Sequence, residues 1–291
     1  MIYTITPNIL WEETFSFAQP WHEGKTQRAA GRSVQVGGKG LNVARMLHRL
    51  HLPHEALAFT GGDYREAIER WLEKQGFQSR CFFHPETYAR PGVVVRSEEQ
   101  EETTFFGPNS SVHPQSVQEA SDYLANLSEK ATIALCGSVP EWDSATWDPL
   151  RECFAKTSGR HRWVIDTYGP ALLWFAGQEV DLIKVNADEW ETIERQNTPC
   201  QSKAVIVTDG SESLSGWSRE GPRWSFAPPK IQQQVSPTGS GDVFLAALLT
   251  FWLAGEGPLE SAAREASRYG AANAAHPGVA EFSLQDLPPS P

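Results

Sequence analysis

Seven residues, Ser236-Pro237-Thr238-Gly239-Ser240-Gly241-Asp242, run directly into the apolar stretch Val243-Phe244-Leu245-Ala246-Ala247-Leu248-Leu249. Glycines on either side of Ser240 let backbone N–H groups converge on one point, and the first turn of a helix adds unpaired donors and the positive end of its dipole. The spacing predicts a cradle for a multiply charged anion built from Gly239, Ser240 and Gly241. Asp242 would be repelled by that anion unless it faced a hydroxyl about to lose its proton, which points to a general base beside a phosphoryl acceptor. Its place at a helix start predicts a lowered pKa. A plain loop capping an apolar helix, with Asp242 held by the dipole, accounts for the same residues.

A second glycine cluster lies far upstream, in Val36-Gly37-Gly38-Lys39-Gly40-Leu41-Asn42-Val43-Ala44-Arg45. It ends a β-like stretch and opens a helix with Leu41, Ala44, Leu47 and Leu50 at helical spacing. Two such clusters imply two anions or polar ligands. Lys39 within the glycine run and Asn42 on the first turn can donate to sugar hydroxyls or phosphate.

These two clusters must be held by a scaffold, and its elements are legible. Ala131–Leu135, Trp163–Ile165, Leu182–Val185 and Val205–Val207 are short, continuous apolar runs, as expected of parallel strands covered on both faces. They alternate with helical patterns, which predicts βαβ units with ligands at the carboxyl ends of the strands. Residues Ile9 to Val36 and a hairpin from Gly92–Arg96 to Glu102–Phe106 fall outside the alternation. The acidic turn Glu98-Glu99-Gln100-Glu101-Glu102 reads as a solvated hairpin tip. A chain of 291 residues with 40% hydrophobic content is long enough for a substantial core.

Together, GGKGLNVAR and SPTGSGD resemble the two signatures of the PfkB family of ribokinase-like carbohydrate kinases. Between them, in the family's order, stand Phe106-Gly107-Pro108, Cys136-Gly137-Ser138-Val139-Pro140, Asp166-Thr167-Tyr168-Gly169, Leu182 to Glu189 and Val205 to Gly210. The resemblance spans nearly the whole chain. It implies an α/β, ribokinase-like three-layer sandwich: a central, mostly parallel sheet plus a small β-sheet lid. It further implies one kinase domain over residues 1–291, with the lid formed by segments of about 9–36 and 88–107 and available for dimerisation.

The resemblance also assigns roles. ATP would lie along the C-terminal third, with Asp242 deprotonating the acceptor hydroxyl and Mg2+ bridging the phosphates. Asn186 and Glu189 match the family's Asn-x-x-Glu motif, with Glu189 holding the metal through water. Thr208, Gly210, Gly270 and Asn273 match the nucleotide half. Gly38, Lys39, Asn42 and Ser138 fall on the sugar side. Arg28, Lys39 and Arg90 match positions near the substrate's existing phosphate in the tagatose-6-phosphate and fructose-1-phosphate kinase branch, and Ser236-Pro237 leans the same way. Glu12 stands in for the acidic residue, usually Asp, that grips sugar hydroxyls. Trp11 beside it, Trp142 and Ser213 are further departures from the family pattern.

A net charge of -11 without a basic stripe argues against a nucleic-acid partner. No run is apolar enough to span a membrane, and Met1–Thr6 begins as a strand without the marks of a signal peptide, so a cytoplasmic location is expected. Cys81, Cys136, Cys153 and Cys200 lack paired spacing and read as reduced thiols. His48, His51 and His54 recur every third residue but fall at a helix end before or beside Pro53, where histidine is favoured electrostatically without a metal. Three functions remain open at this point: a kinase of a ketohexose phosphate, a kinase of an unphosphorylated sugar or nucleoside, and a catalytically silent sensor of sugar phosphate or nucleotide.

Overall fold

The computed structural model describes residues 1–196, 199–219, 221–255 and 257–291, with the Glu101 side chain left aside. Nine strands form the central sheet: β1 (Ile2–Thr6), β4 (His54–Thr60), β5 (Ser79–Phe83), β8 (Thr132–Cys136), β9 (Arg162–Asp166), β10 (Leu182–Asn186), β11 (Ala204–Asp209), β12 (Ser213–Ser218) and β13 (Trp224–Phe226). Their order is β13-β12-β11-β10-β9-β8-β1-β4-β5, parallel from β11 through β5. The chain leaves β1 towards β4 and later returns to its other side at β8. That reversal opens a crevice at the carboxyl ends of β1 and β8.

Alternation along the strands sorts side chains into two cores. Ile133 and Leu135 of β8, Trp163 and Ile165 of β9, and Ile183 and Val185 of β10 join the core beneath α3 (Pro114–Ala125), α4 (Asp148–Thr157), α5 (Pro170–Ala176) and α6 (Ala187–Arg195). Ala134, Cys136, Val164 and Leu182 face the opposite way, towards α1 (Lys39–Arg49), α7 (Ser240–Leu253) and α8 (Leu259–Ala274). A third core joins α1 to α2 (Arg65–Gln75). The α7 helix is buried continuously from Asp242 to Leu249 because it lies between sheet and α8 and α1.

A separate sheet of four strands has the order β3-β2-β6-β7, from β3 (Gly31–Gly37), β2 (Leu10–Phe17), β6 (Arg90–Ser97) and β7 (Gln100–Phe106). The β6–β7 turn is at Glu98–Glu99. Phe105 and Phe106 are both more than half exposed. Cys81, Cys136, Cys153 and Cys200 are all free thiols. Among the described residues, no helix is long and apolar enough to cross a membrane.

Candidate active site

Strand parity explains what gathers below α7. Asp166 stands two residues after Val164, and Lys184 two after Leu182, so both side chains project from the face that α1 and α7 cover. Asp166 is fully buried and receives two ammonium groups: Lys39 Nζ donates to Oδ1 at 3.0 Å and Lys184 Nζ to Oδ2 at 3.1 Å. Lys39 is the first residue of α1, and Lys184 is only 4% exposed. Asn42, one turn into α1, donates from Nδ2 to Asp242 Oδ2 at 2.8 Å. The two glycine clusters, about 200 residues apart in sequence, therefore meet side chain to side chain.

Two glycines on the α1 side are sterically required. Gly38 adopts φ +134°, where a Cβ would come within 2.4 Å of Thr6 Cγ2, and a Cβ on Gly40 would come within 2.4 Å of Thr6 Oγ1. Close backbone contact with β1 thus sets the depth at which Lys39 and Asn42 enter the crevice.

The electrostatics separate the two carboxylates. Burial disfavours ionised Asp166, but Lys184 and Lys39 outweigh it and hold its pKa below the ordinary value. Burial also dominates at Asp242, and here Lys39, Asn42 and Lys184 only partly oppose it while Asp166 adds repulsion, so its pKa rises to about 6. Position at the helix start predicted the opposite direction. Desolvation exceeds the dipole because Asp242 is 5% exposed. Burial penalises the Lys39 ammonium, yet Asp166, Asp242 and Glu189 prevail and raise its pKa.

In the segment expected to form the anion cradle, the N–H donors are not equivalent. Gly239 is the N-cap of α7 at φ +75°, and a Cβ there would press to 2.5 Å on Val279. Ser240 N–H donates to Pro237 O at 3.2 Å and Asp242 N–H to Gly239 O at 3.1 Å. Among the described residues, no backbone carbonyl takes the Gly239 or Gly241 N–H, so those two could donate to an anion. A Cβ on Gly241 would stand 2.8 Å from Lys184 Nζ, so that ammonium lies directly against the cradle.

A cavity of about 490 Å³ opens beside it, lined by Thr208, Gly210, Ser213, Ser240, Gly241 and Gly270 among others. Gly270 lets α8 approach α7, since a Cβ there would meet Ser240 O at 3.2 Å. Asn273 is fully buried and acts as a bracket: Nδ2 donates to Thr238 O (2.9 Å) and Ser240 Oγ (3.1 Å), while Oδ1 accepts from Ala280 N (2.8 Å). Asn186 and Glu189 form a capping box on α6, with Glu189 N donating to Asn186 Oδ1 and Asn186 N to Glu189 Oε2, both at 2.8 Å.

The four-stranded sheet supplies the other wall. Glu12 of β2 is cross-strand partner of Gln35 on β3, whose amide donates to Glu12 Oε1; burial raises the Glu12 pKa against that bond. Arg90 is paired with Leu10, stacks its guanidinium 4.1 Å from the Phe106 ring centre, and has a buried Nε with no hydrogen-bond acceptor among the described residues. Arg28 lies elsewhere, in the β2–β3 connection, where it lines a hollow with Phe15 and Phe17. Ser16 pairs with Gly31 and Leu10 with Arg90, so Arg28 and Arg90 occupy opposite ends of the sheet, ~20 Å apart at about 3.3 Å per residue. Ser138 Oγ accepts from Asn8 Nδ2 at 2.7 Å, and Asn8 also bonds Asn109 and Ser110, tying the β7 exit to the crevice. Trp11 stacks on Tyr64, and Trp142 is buried against Trp174 and Phe175.

Sequence reasoning missed Lys184, Asp166, Asn8 and Gln35. A signal for Lys184 existed: a lysine inside the strand run Leu182-Ile183-Lys184-Val185 must be paired or desolvated at high cost. Gln35 had none, because its importance depends on register with Glu12, 23 residues away on the neighbouring strand.

Known proteins resemble this chain over nearly its whole length. The 1-phosphofructokinase of Bacillus subtilis (strain 168) is 26% identical over 99% of this chain and 98% of its own. That of Borreliella burgdorferi is 25% identical over 84% and 83%. In fold, Escherichia coli phosphofructokinase-2 in complex with fructose-6-phosphate superposes with a TM-score of 0.81 at 22% identity, covering 93% of this chain and 92% of that one. The description "pfkB family carbohydrate kinase" matches residues 11–286, and this chain belongs to that family.

Proposed function

We propose that the chain transfers the γ-phosphoryl group of ATP to a hydroxyl of a ketohexose phosphate such as fructose 1-phosphate, fructose 6-phosphate or tagatose 6-phosphate. The observation that carries this is Asp242: a buried carboxylate, oriented by Asn42, on the first turn behind the Gly239–Gly241 cradle. A pKa of about 6 makes it ionised at neutral pH yet more basic than an ordinary aspartate, which suits late proton removal from an attacking hydroxyl.

Charge bookkeeping supports the direction of transfer. Lys39, Lys184, Asp166 and ionised Asp242 sum to zero. Once Asp242 accepts the hydroxyl proton the cluster carries +1, next to the cradle where negative charge collects. The ATP base and ribose fit the cavity bounded by Thr208, Gly210 and Gly270. Glu189, with one carboxylate oxygen spent on the Asn186 N–H and the other left for a water of a hydrated dication, fits a magnesium ion, which when bound would neutralise the nucleotide phosphates.

Arg90 supports an acceptor that is already phosphorylated. Its guanidinium is fixed on Phe106 with one buried N–H unsatisfied, an arrangement completed by an anion. Glu12, held by Gln35, and Ser138, held by Asn8, would take sugar hydroxyls. The names of the relatives accord with this substrate class. Self-association through the lid belongs to the same reading: Val93 and Phe105 pair across β6 and β7 and both are exposed.

The test is MgATP-dependent ADP release with fructose 1-phosphate, fructose 6-phosphate, tagatose 6-phosphate, fructose, ribose and adenosine. Turnover confined to phosphorylated acceptors and lost in Asp242→Asn is expected. Turnover only with unphosphorylated acceptors overturns the role of Arg90. A rise in Tm with ligand but no ADP release with any acceptor overturns the kinase and leaves a sensor.

A further inference from the structure

Outside the crevice, the described residues contain one group of three side chains with metal-ligating atoms mutually in reach: His84, Glu86 and His113, all within 4.8 Å of one another. They come from two separate segments. His84 and Glu86 belong to the stretch that leads from β5 into β6, and His113 caps α3 after the chain leaves β7. These are the two legs of the lid hairpin. They are already joined by backbone bonds between Tyr88 and Ser111 (2.9 and 3.1 Å) and by His113 N donating to Thr87 Oγ1 (3.2 Å).

The geometry of the cluster is specific. The two imidazole rings stack face to face, 3.3 Å between centres and 2° between planes. Each anchors its Nδ1 on a backbone N–H two residues on, His84 on that of Glu86 and His113 on that of Gln115, both at 3.2 Å. These bonds hold both rings in the metal-free chain; because an imidazole binds a metal in its own plane and two parallel planes share no such position, one ring must turn out of the stack for both to coordinate through Nε2. His113 Nε2 lies 3.7 Å from Glu86 Oε2. In the metal-free chain these bonds place each ring proton on Nε2. Coordination shifts that proton to Nδ1 and exchanges two long backbone bonds for two metal–nitrogen bonds.

We propose that His84, Glu86 and His113 bind a divalent transition-metal ion that clamps the two legs of the lid hairpin. Two imidazoles and one carboxylate select a borderline cation such as Zn2+, Co2+ or Ni2+ over Mg2+, whose preference is for oxygen. Three protein ligands leave at least one position for water. The site is distinct from the Glu189 region, which presents oxygen only.

Titration of the full-length, EDTA-treated chain with Co2+ in the absence of nucleotide tests this, followed by visible absorption and by calorimetry. One Co2+ per chain is expected, with d–d bands of a nitrogen–oxygen site, no thiolate charge-transfer band, and displacement by Zn2+. His84→Ala and His113→Ala should each weaken binding by at least the ~10-fold to 100-fold that loss of an outer-shell partner costs, and His113→Ala should also lower the apo Tm because it removes the α3 cap. Glu86→Gln, on an exposed side chain, provides a variant whose folding is not in question, and it should weaken binding too. Unchanged affinity in Glu86→Gln and both alanine variants overturns the proposal, as does loss of binding only in His48→Ala, or no binding at all.

Discussion

The two walls of the crevice are built on opposite principles. Below α7, every charge has a fixed partner: Asp166 holds both Lys39 and Lys184, Asn42 holds Asp242, and Asn273 brackets Ser240. All of this hangs on strand ends and helix starts of the central sheet. Across the crevice, the lid offers Arg90 with an unsatisfied buried N–H and leaves Phe105 and Phe106 exposed. On the proposed reading, the transferring side is pre-organised before any ligand arrives, whereas the accepting side is completed by its ligand. Electrostatic stabilisation benefits from the first arrangement, and substrate choice can change through the second without disturbing the first.

The largest expected effect breaks the fixed wall. Asp242→Asn preserves shape and the bond from Asn42 in part but removes the proton acceptor. It should lower kcat by roughly 100-fold to 10,000-fold, the range for a general base, with KM little changed. Steady-state kinetics with the preferred acceptor measures it. A kcat within threefold of wild type would remove Asp242 from the chemistry.

This wall was also the more legible in sequence. Glycine, serine and aspartate at fixed spacing before an apolar helix carry their own geometry, because positive φ and unpaired first-turn N–H groups are local properties. The parallel strands were legible for a similar reason: β8 to β11 fall on the continuous apolar runs. Lys184 escaped because one buried lysine in such a run becomes meaningful only when Asp166 is known to lie on the neighbouring strand's same face. In the lid, legibility fell further. The pairing of Glu12 with Gln35, and the distance between Arg28 and Arg90, are set by register between strands, which no local pattern specifies.

The next effect separates the walls. Arg90→Ala should raise KM for a phosphorylated acceptor by roughly 10-fold to 100-fold, matching loss of a charge-assisted hydrogen bond of about 1.5–3 kcal/mol, while kcat at saturation holds. For an unphosphorylated acceptor the same variant should be nearly silent. Equal loss for both acceptors would mean that Arg90 supports the lid through Phe106 and does not read phosphate.

A smaller, graded effect comes from pH. Burial puts Asp242 at about 6 in the free enzyme, so kcat/KM should be flat above pH 7 and fall as the base takes a proton, by about tenfold one unit below that value. An inflection near 4 instead would mean that water relieves the burial that sets it.

The smallest effect is on stability, and its sign follows from the same burial. Asp242 has a folded pKa raised from 3.8 to about 6, so between those values the folded chain holds the proton more tightly than the unfolded one. Stability from this group is therefore present below about pH 4, declines as pH rises towards 6, and stays diminished above it. Asp242→Asn removes that penalty. Thermal melts should show the variant a few degrees more stable than wild type at pH 8, with the gap closing by about pH 4. A catalytically dead chain that is also the more stable one is the signature of a charge held in place for chemistry against its own solvation. A variant less stable at pH 8 would instead show that ionised Asp242 is a structural partner of Lys39 and Lys184, and the fixed wall would then depend on it as a fourth member of the cluster.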